Sequence, residues 1–195
     1  MSQHFNTQRT YTQRLKRSAA KQKGMTFIEV LIALVIMVTG ILGAIAMQAT
    51  AKKGSFDAMQ RSLASSLAQD IIERMRSNDA TALIAYKKDN YGTGAYSGSK
   101  VASCSGIAGC SSAEMLANDQ YEWELALMGA DVKNGTSNAG GLVGAIACID
   151  VSTNAVTVVI TWQGRTKTVD GKTESCGATT TQEQRRQVLV EAFIY

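Results

Sequence analysis

Few residues in this chain are equipped for chemistry, and their spacing excludes more than it permits. Cys104, Cys110, Cys148 and Cys176 lie in the C-terminal half, with five residues inside the first pair and 27 between the last two. No gap makes a CxxC pair, and the sole histidine, His4, is far upstream, so a zinc site would lack both the short spacing and the usual ligands. An even cysteine count reads instead as two disulfides made in an oxidising compartment, with three pairings open. There is no Ser/His/Asp set, Cys/His pair or GxxxxGK[ST] loop. Glu114, Asp119, Glu122 and Glu124 supply clustered carboxylates, but they read as the solvated face of a helix. That leaves Glu29, the one charge in the 23 residues from Met25 to Met47. An ionisable group in such a run is costly and by default functional, through a charged partner. No catalytic residue, metal or cofactor is expected.

The element that carries Glu29 is an apolar helix. Twenty-three residues rise about 35 Å, enough to cross a bilayer core. It is longer than the apolar region of a secretory signal, has no clear small-residue cleavage site at its far end, and runs on into another helical pattern. Ahead of it, Arg9, Arg14, Lys16, Arg17, Lys21 and Lys23 stand without any Asp or Glu in the first 24 residues. Removing those six from 20 basic residues leaves 14 against 16 acidic, so the net +4 belongs to this leader. Basic residues before a span keep the N-terminus cytoplasmic and send the C-terminus across. The remainder is slightly acidic, and no nucleic-acid partner is expected.

Beyond Lys52 and Lys53, the residues Phe56, Met59, Leu63, Leu67, Ile71 and Met75 recur at spacings of three and four, an apolar stripe on a helix. A coiled-coil seam is possible, but packing against the protein's own head is the favoured use. Together the two segments make one helix from about Met25 to Ser77, with Gly40, Gly43 and Gly54 as weak points. Residues 78–112 read as an irregular loop with one short element. Ser111 and Glu114 have capping-box spacing, which starts a second helix near Ser112 that runs to Met128 and buries Leu116, Trp123 and Leu127. The stretch YEWEL within it also alternates like a strand. Residues 129–141 have loop composition. Three β-rich runs follow, at about Leu142–Val151, Val156–Trp162 and Arg186–Ile194, the first two joined by a hairpin at Ser152–Ala155. The expected fold is α+β: a long N-terminal helix laid on one face of a small antiparallel sheet. In that layout Cys148 on the first strand clamps Cys176 in the long loop, and Cys104–Cys110 is a local staple.

The stretch KQKGMTFIEVLIAL at 21–34 resembles the processing site of type IV prepilins and of type II secretion pseudopilins. The resemblance implies a cut between Gly24 and Met25 by prepilin peptidase, N-methylation of Met25 by the same enzyme, and an assembly role for Glu29 as the fifth mature residue. Met25 stands where the family more often has Phe. Glycine suits a scissile bond because it lets a protease approach closely. For Glu29 the plausible partner is the freed α-amino group of a neighbouring subunit. Three regions follow: a cleaved leader 1–24, a membrane and filament-core helix 25–53, and a head 54–195.

The runs LASSLAQDIIERMRSNDA, AEMLANDQYEWELAL and CID followed by VTVVITWQG are similar to the PilV family of minor pilins. That resemblance implies a low-abundance subunit that joins other minor pilins to prime pilus assembly near the tip, with roles in twitching motility and adhesion. Its partners would be other minor pilins, the major pilin, inner-membrane lipid and a tip adhesin. It would reside in the bacterial inner membrane, head in the periplasm, and later in the pilus at the cell surface. The competing expectations are a type II secretion minor pseudopilin and a single-pass anchored binding protein.

Overall fold

The computed structural model describes residues 24–98, 100–101, 104, 109–130, 132–167, 175–177 and 182–195. The expected leader, apart from Gly24, lies outside the described residues, as does His4. The chain separates into two compact units, one ending at Ile45 and the other running Ala46–Tyr195.

Helix α1 spans Phe27–Ser77 and continues through Gly40, Gly43 and Gly54. Within the second unit it buries Gln60, Ala64, Leu67, Ala68, Ile71, Ile72 and Met75. The expected stripe is therefore right at its C-terminal end and wrong at Met59, which is 58% exposed. The reason is geometric: successive steps of four overshoot a 3.6-residue turn by about 40° each, so a pure i+4 row winds off the buried face. Gln60, Ala64 and Ala68 hold that face instead, the alanines giving close approach and Gln60 bonding the chain opposite. Its amide donates to the Gly141 carbonyl (3.3 Å) and accepts from the Val143 N–H (3.1 Å).

A 3₁₀ helix, Ala80–Tyr86, follows, capped by Asp79, whose carboxylate accepts from Thr81 N–H at 2.8 Å. Next come strand β1 (Lys88–Tyr91) and helix α2 (Ser112–Met128). The latter begins on the expected Ser111–Glu114 capping box and ends at Gly129 with φ +64°. A Cβ at Gly129 would lie 1.8 Å from the Gly140 backbone, so glycine is required there for space as well as for φ. A small hairpin of β2 (Lys133–Asn134) and β3 (Ser137–Asn138) lies where a loop was expected. Then come β4 (Ile146–Ser152), β5 (Ala155–Gln163) and β6 (Arg185–Phe193).

The sheet is antiparallel, in the order β1-β4-β5-β6. Val156, Val158, Ile160 and Trp162 alternate along β5 and join α1 and α2 in one core, with Tyr86, Tyr91 and Trp123 fully enclosed. Trp123 Nε1–H donates to the Leu67 carbonyl at 2.9 Å and so ties α2 to α1. On the sheet's other face the Cys148–Cys176 disulfide straps residues 175–177 over Val159 and Thr161. The second disulfide joins Cys104 to Cys110.

One sequence expectation fails outright. Asp119 and Glu124, read as part of a solvated face, are 6% and 0% exposed. Glu124 lies against the turn after β1, where Gly92 (φ +87°) and Gly94 (φ +89°) aim their N–H groups at its two carboxylate oxygens, the first at 2.6 Å. Such a concave pair of backbone donors is a nest for an anion. Asp119 accepts the Tyr86 hydroxyl at 2.6 Å and Arg74 Nη1 at 3.3 Å, while Arg74 also donates to Glu122 at 2.9 Å. Burial pushes the Tyr86 phenol upward, and the Asp119 charge adds to it. The hydrogen bond from Arg74 lowers Glu122 despite its partial burial.

A second clasp joins α1 to the sheet. Asp57 accepts from the Arg165 N–H (3.0 Å) and the Thr166 hydroxyl (2.6 Å), and pairs with Arg186 (3.3 Å). Burial alone would raise Asp57, but these donors outweigh it and hold the carboxyl below its ordinary value.

Two outcomes are expected. Glu124→Ala strands two buried N–H groups and should cost about 2–3 kcal/mol in denaturant unfolding; a loss under about 0.5 kcal/mol would contradict the nest. Because Asp57 and Glu122 are depressed in the fold, their stabilisation is complete above the ordinary carboxylate value of about 4 and is lost as pH falls through the folded values. The thermal midpoint should therefore hold above about pH 4 and drop below it, and Asp57→Asn should flatten the profile.

Candidate anchoring and assembly site

Glu29 sits in the first turn of α1, with Gly24, Met25 and Thr26 leading into it. Every residue from 24 to 55 is exposed, including Met25 at 69% and Phe27 at 80%. An 18-residue window of this helix has a mean hydropathy of 2.8 with none of it buried in the protein itself. By length and composition it is the one helix, among the described residues, able to cross a membrane. Full burial of one such apolar side chain is worth about 1.5–3 kcal/mol, so this surface strongly favours lipid or other apolar helices over water.

Its polar groups are disposed accordingly. The Thr39 hydroxyl donates to the Val35 and Ile36 carbonyls, both at 3.0 Å, so it is satisfied within its own helix. Gly40 and Gly43 have nothing within 4 Å of where a Cβ would stand, leaving smooth places for a second helix to approach closely.

Glu29 itself has one weak internal contact. Its Oε2 lies 3.5 Å from Thr26 N–H, at the limit of hydrogen bonding. The Glu29 and Val30 N–H groups both donate to the Thr26 carbonyl, at 3.1 and 3.3 Å. This is half of a capping box, and the carboxylate also meets the positive end of the helix dipole. Sequence reading missed Thr26, although T-x-x-E at 26–29 is the spacing that announces such a cap. A carboxylate has about four acceptor positions, so one long contact leaves Glu29 open to a stronger donor near the chain start.

The structure does not bring the other expected site residues to this place. Both disulfides belong to the head, and the acidic residues of α2 act within it. Among the described residues no group of His, Cys, Asp and Glu is arranged to hold a metal.

Two family matches together cover residues 19–121, from the expected leader into the first half of α2. Residues 19–45 match the prokaryotic N-terminal methylation motif, and residues 46–121 match the Tt1218-like family, described as type IV pilin Tt1218. No curated protein and no solved structure matches the chain. With a methylation motif that runs into an exposed apolar helix, and a small α+β head after it, the chain is similar to type IV pilins over residues 19–121.

Proposed function

We propose that this chain is a minor pilin of a type IV pilus, a structural subunit rather than an enzyme. Prepilin peptidase cuts between Gly24 and Met25 and the new N-terminus is methylated. The observation that carries the reading is the apolar first half of α1, exposed along its whole length and bearing a single under-bonded carboxylate. Before assembly the helix lies in the inner membrane with the basic leader cytoplasmic and the head in the periplasm, where its disulfides form. On assembly it exchanges lipid for the helices of neighbouring pilins. Glu29 then accepts from the α-amino group of an adjacent subunit, two charges that stabilise each other where water is absent. Similarity to the PilV family over the α1 and α2 runs supports a low-abundance role with other minor pilins, priming assembly near the tip, with the head available to an adhesin.

Intact-mass measurement of the protein recovered from membranes should show loss of residues 1–24 and a gain of about 14 Da from one methyl group on Met25. A retained leader would refute the reading. Glu29→Ala should leave cleavage intact yet lower recovery in sheared pili by about tenfold, the effect of losing roughly 1.4 kcal/mol. Recovery equal to wild type would remove Glu29 from assembly. Loss of protein secretion with intact pili on deletion would reassign the chain to a type II secretion system.

A further inference from the structure

The segment of α1 just past the apolar run carries cations that neither anchoring nor helix packing uses. Lys52 and Lys53 are exposed and follow Met47 by five and six residues, about 8–9 Å along the helix. Phe56 lies one turn beyond both lysines and so neighbours each of them on the helix surface, and Asp57 lies one turn beyond Lys53. The chain after β5 delivers a third cation there: the Arg165 guanidinium carbon stands 4.1 Å from the centre of the Phe56 ring. Its place is fixed, because the Arg165 N–H and the Thr166 hydroxyl both donate to Asp57. The nearby acids are already answered, Asp57 by Arg186 at 3.3 Å and Glu183 by Lys167 at 2.9 Å. Among the described residues no ion pair engages Lys52, Lys53 or Arg165.

We propose that this face docks on anionic phospholipid headgroups of the leaflet on the head's side of the membrane. The inference rests on the reading that the apolar part of α1 is membrane-inserted before assembly. Position favours lipid as the partner. The headgroup layer extends about 5–8 Å beyond the hydrocarbon core on each side, the depth at which Lys52 and Lys53 emerge. Helical side chains lean toward the N-terminus, which here is toward the bilayer, so both ammonium groups reach down to the phosphates. Arg165 stacked on Phe56 presents an apolar body with a charged edge, the chemistry that collects at membrane interfaces. A basic residue close to an anionic surface strengthens binding about fivefold, and the effect fades within a Debye length. Docking would hold the head against the membrane while the subunit waits, and entry into a filament would have to break it. The lipid surface would then compete with assembly.

The test uses the full-length processed chain in nanodiscs of phosphatidylcholine alone or with about one-third phosphatidylglycerol. Amide hydrogen exchange is read at residues 164–167, with the β4–β5 turn at Ser152–Ala155 as the control for folding. Docking predicts several-fold slower exchange at 164–167 in the anionic discs. Salt at about 0.5 M should abolish the difference, as should Arg165→Gln or the pair Lys52→Gln and Lys53→Gln, with the control turn unchanged. Equal exchange in the two lipids, from protein retained in both, would overturn the docking alone. So would protection that survives either Arg165→Gln or the Lys52→Gln and Lys53→Gln pair. Failure of the chain to stay in discs of either composition would overturn the membrane reading and this inference with it.

Discussion

Among the described residues nothing buries the apolar surface of the Phe27–Met47 stretch of α1, and water does not accept such a surface. Hydrophobic transfer leaves two environments, the interior of a bilayer or a bundle of similar helices. Backbone satisfaction makes both accessible, since a helix closes its own hydrogen bonds and Thr39 closes the remaining hydroxyl. Exchange between the two is then feasible because lipid tails and apolar helices are nearly equivalent solvents for it. Discrimination has to come from something small and specific, and in the proposed function Glu29 is the charged group that would supply it.

The second half of α1 has the opposite problem, since it must present one face to a head and the rest to water. It manages this with polar residues at the near end of the contact. Asp57 takes three donors from the sheet side, and Gln60 bonds in both directions to residues 141–143. Past these two residues the contact becomes apolar through Leu67, Ile71 and Met75. Directional bonds set the register of helix against sheet, and packing then supplies most of the stability. Asp57 also places Arg165 over Phe56, so the clasp that seats the head positions a cation beside the end of the apolar run.

How much of this was legible depended on whether the signal was local. The α2 boundaries followed from Ser111 and Glu114, a cap that acts within four residues. Strands β5 and β6 lie within a residue of the expected runs, whereas β4 begins at Ile146 and not at the expected Leu142, since nothing local marks where an apolar run starts to pair. Strand β1 was not legible: Lys88–Tyr91 has no alternating apolar pattern and is a strand because β4 offers it an edge. Met59 was misplaced because a spacing rule fixes a face only over about two turns. The polar clasps were the least legible. Asp57 meets donors more than a hundred residues away, and nothing in its neighbourhood announces them. At the candidate site Glu29 stood out as the one charge in an apolar run, and Gly24 and Met25 through the resemblance to prepilin processing sites, whereas the Thr26 cap was visible in the sequence and overlooked.

Three carboxylates show the same physics resolved in different ways. Glu124 is wholly enclosed and stays there because two glycine N–H groups converge on it, donors that the fold builds from a turn thirty residues earlier. Asp119 is nearly as enclosed and is met by a phenol and a guanidinium. Both read as surface charges in sequence, because acidic residues at helical spacing carry no mark of what will face them. Glu29 looked unusual in sequence for the converse reason, since its neighbours supply no donor of any strength. Among the described residues the fold answers it with one contact, at 3.5 Å. A carboxylate in apolar surroundings needs its donors wherever they come from. For Glu124 they are intramolecular, and the result is a rigid head. For Glu29, on the proposed reading, they would be brought by another molecule, which would tie the electrostatics of this residue to the presence of a partner and give an otherwise interchangeable apolar helix a preferred neighbour and register.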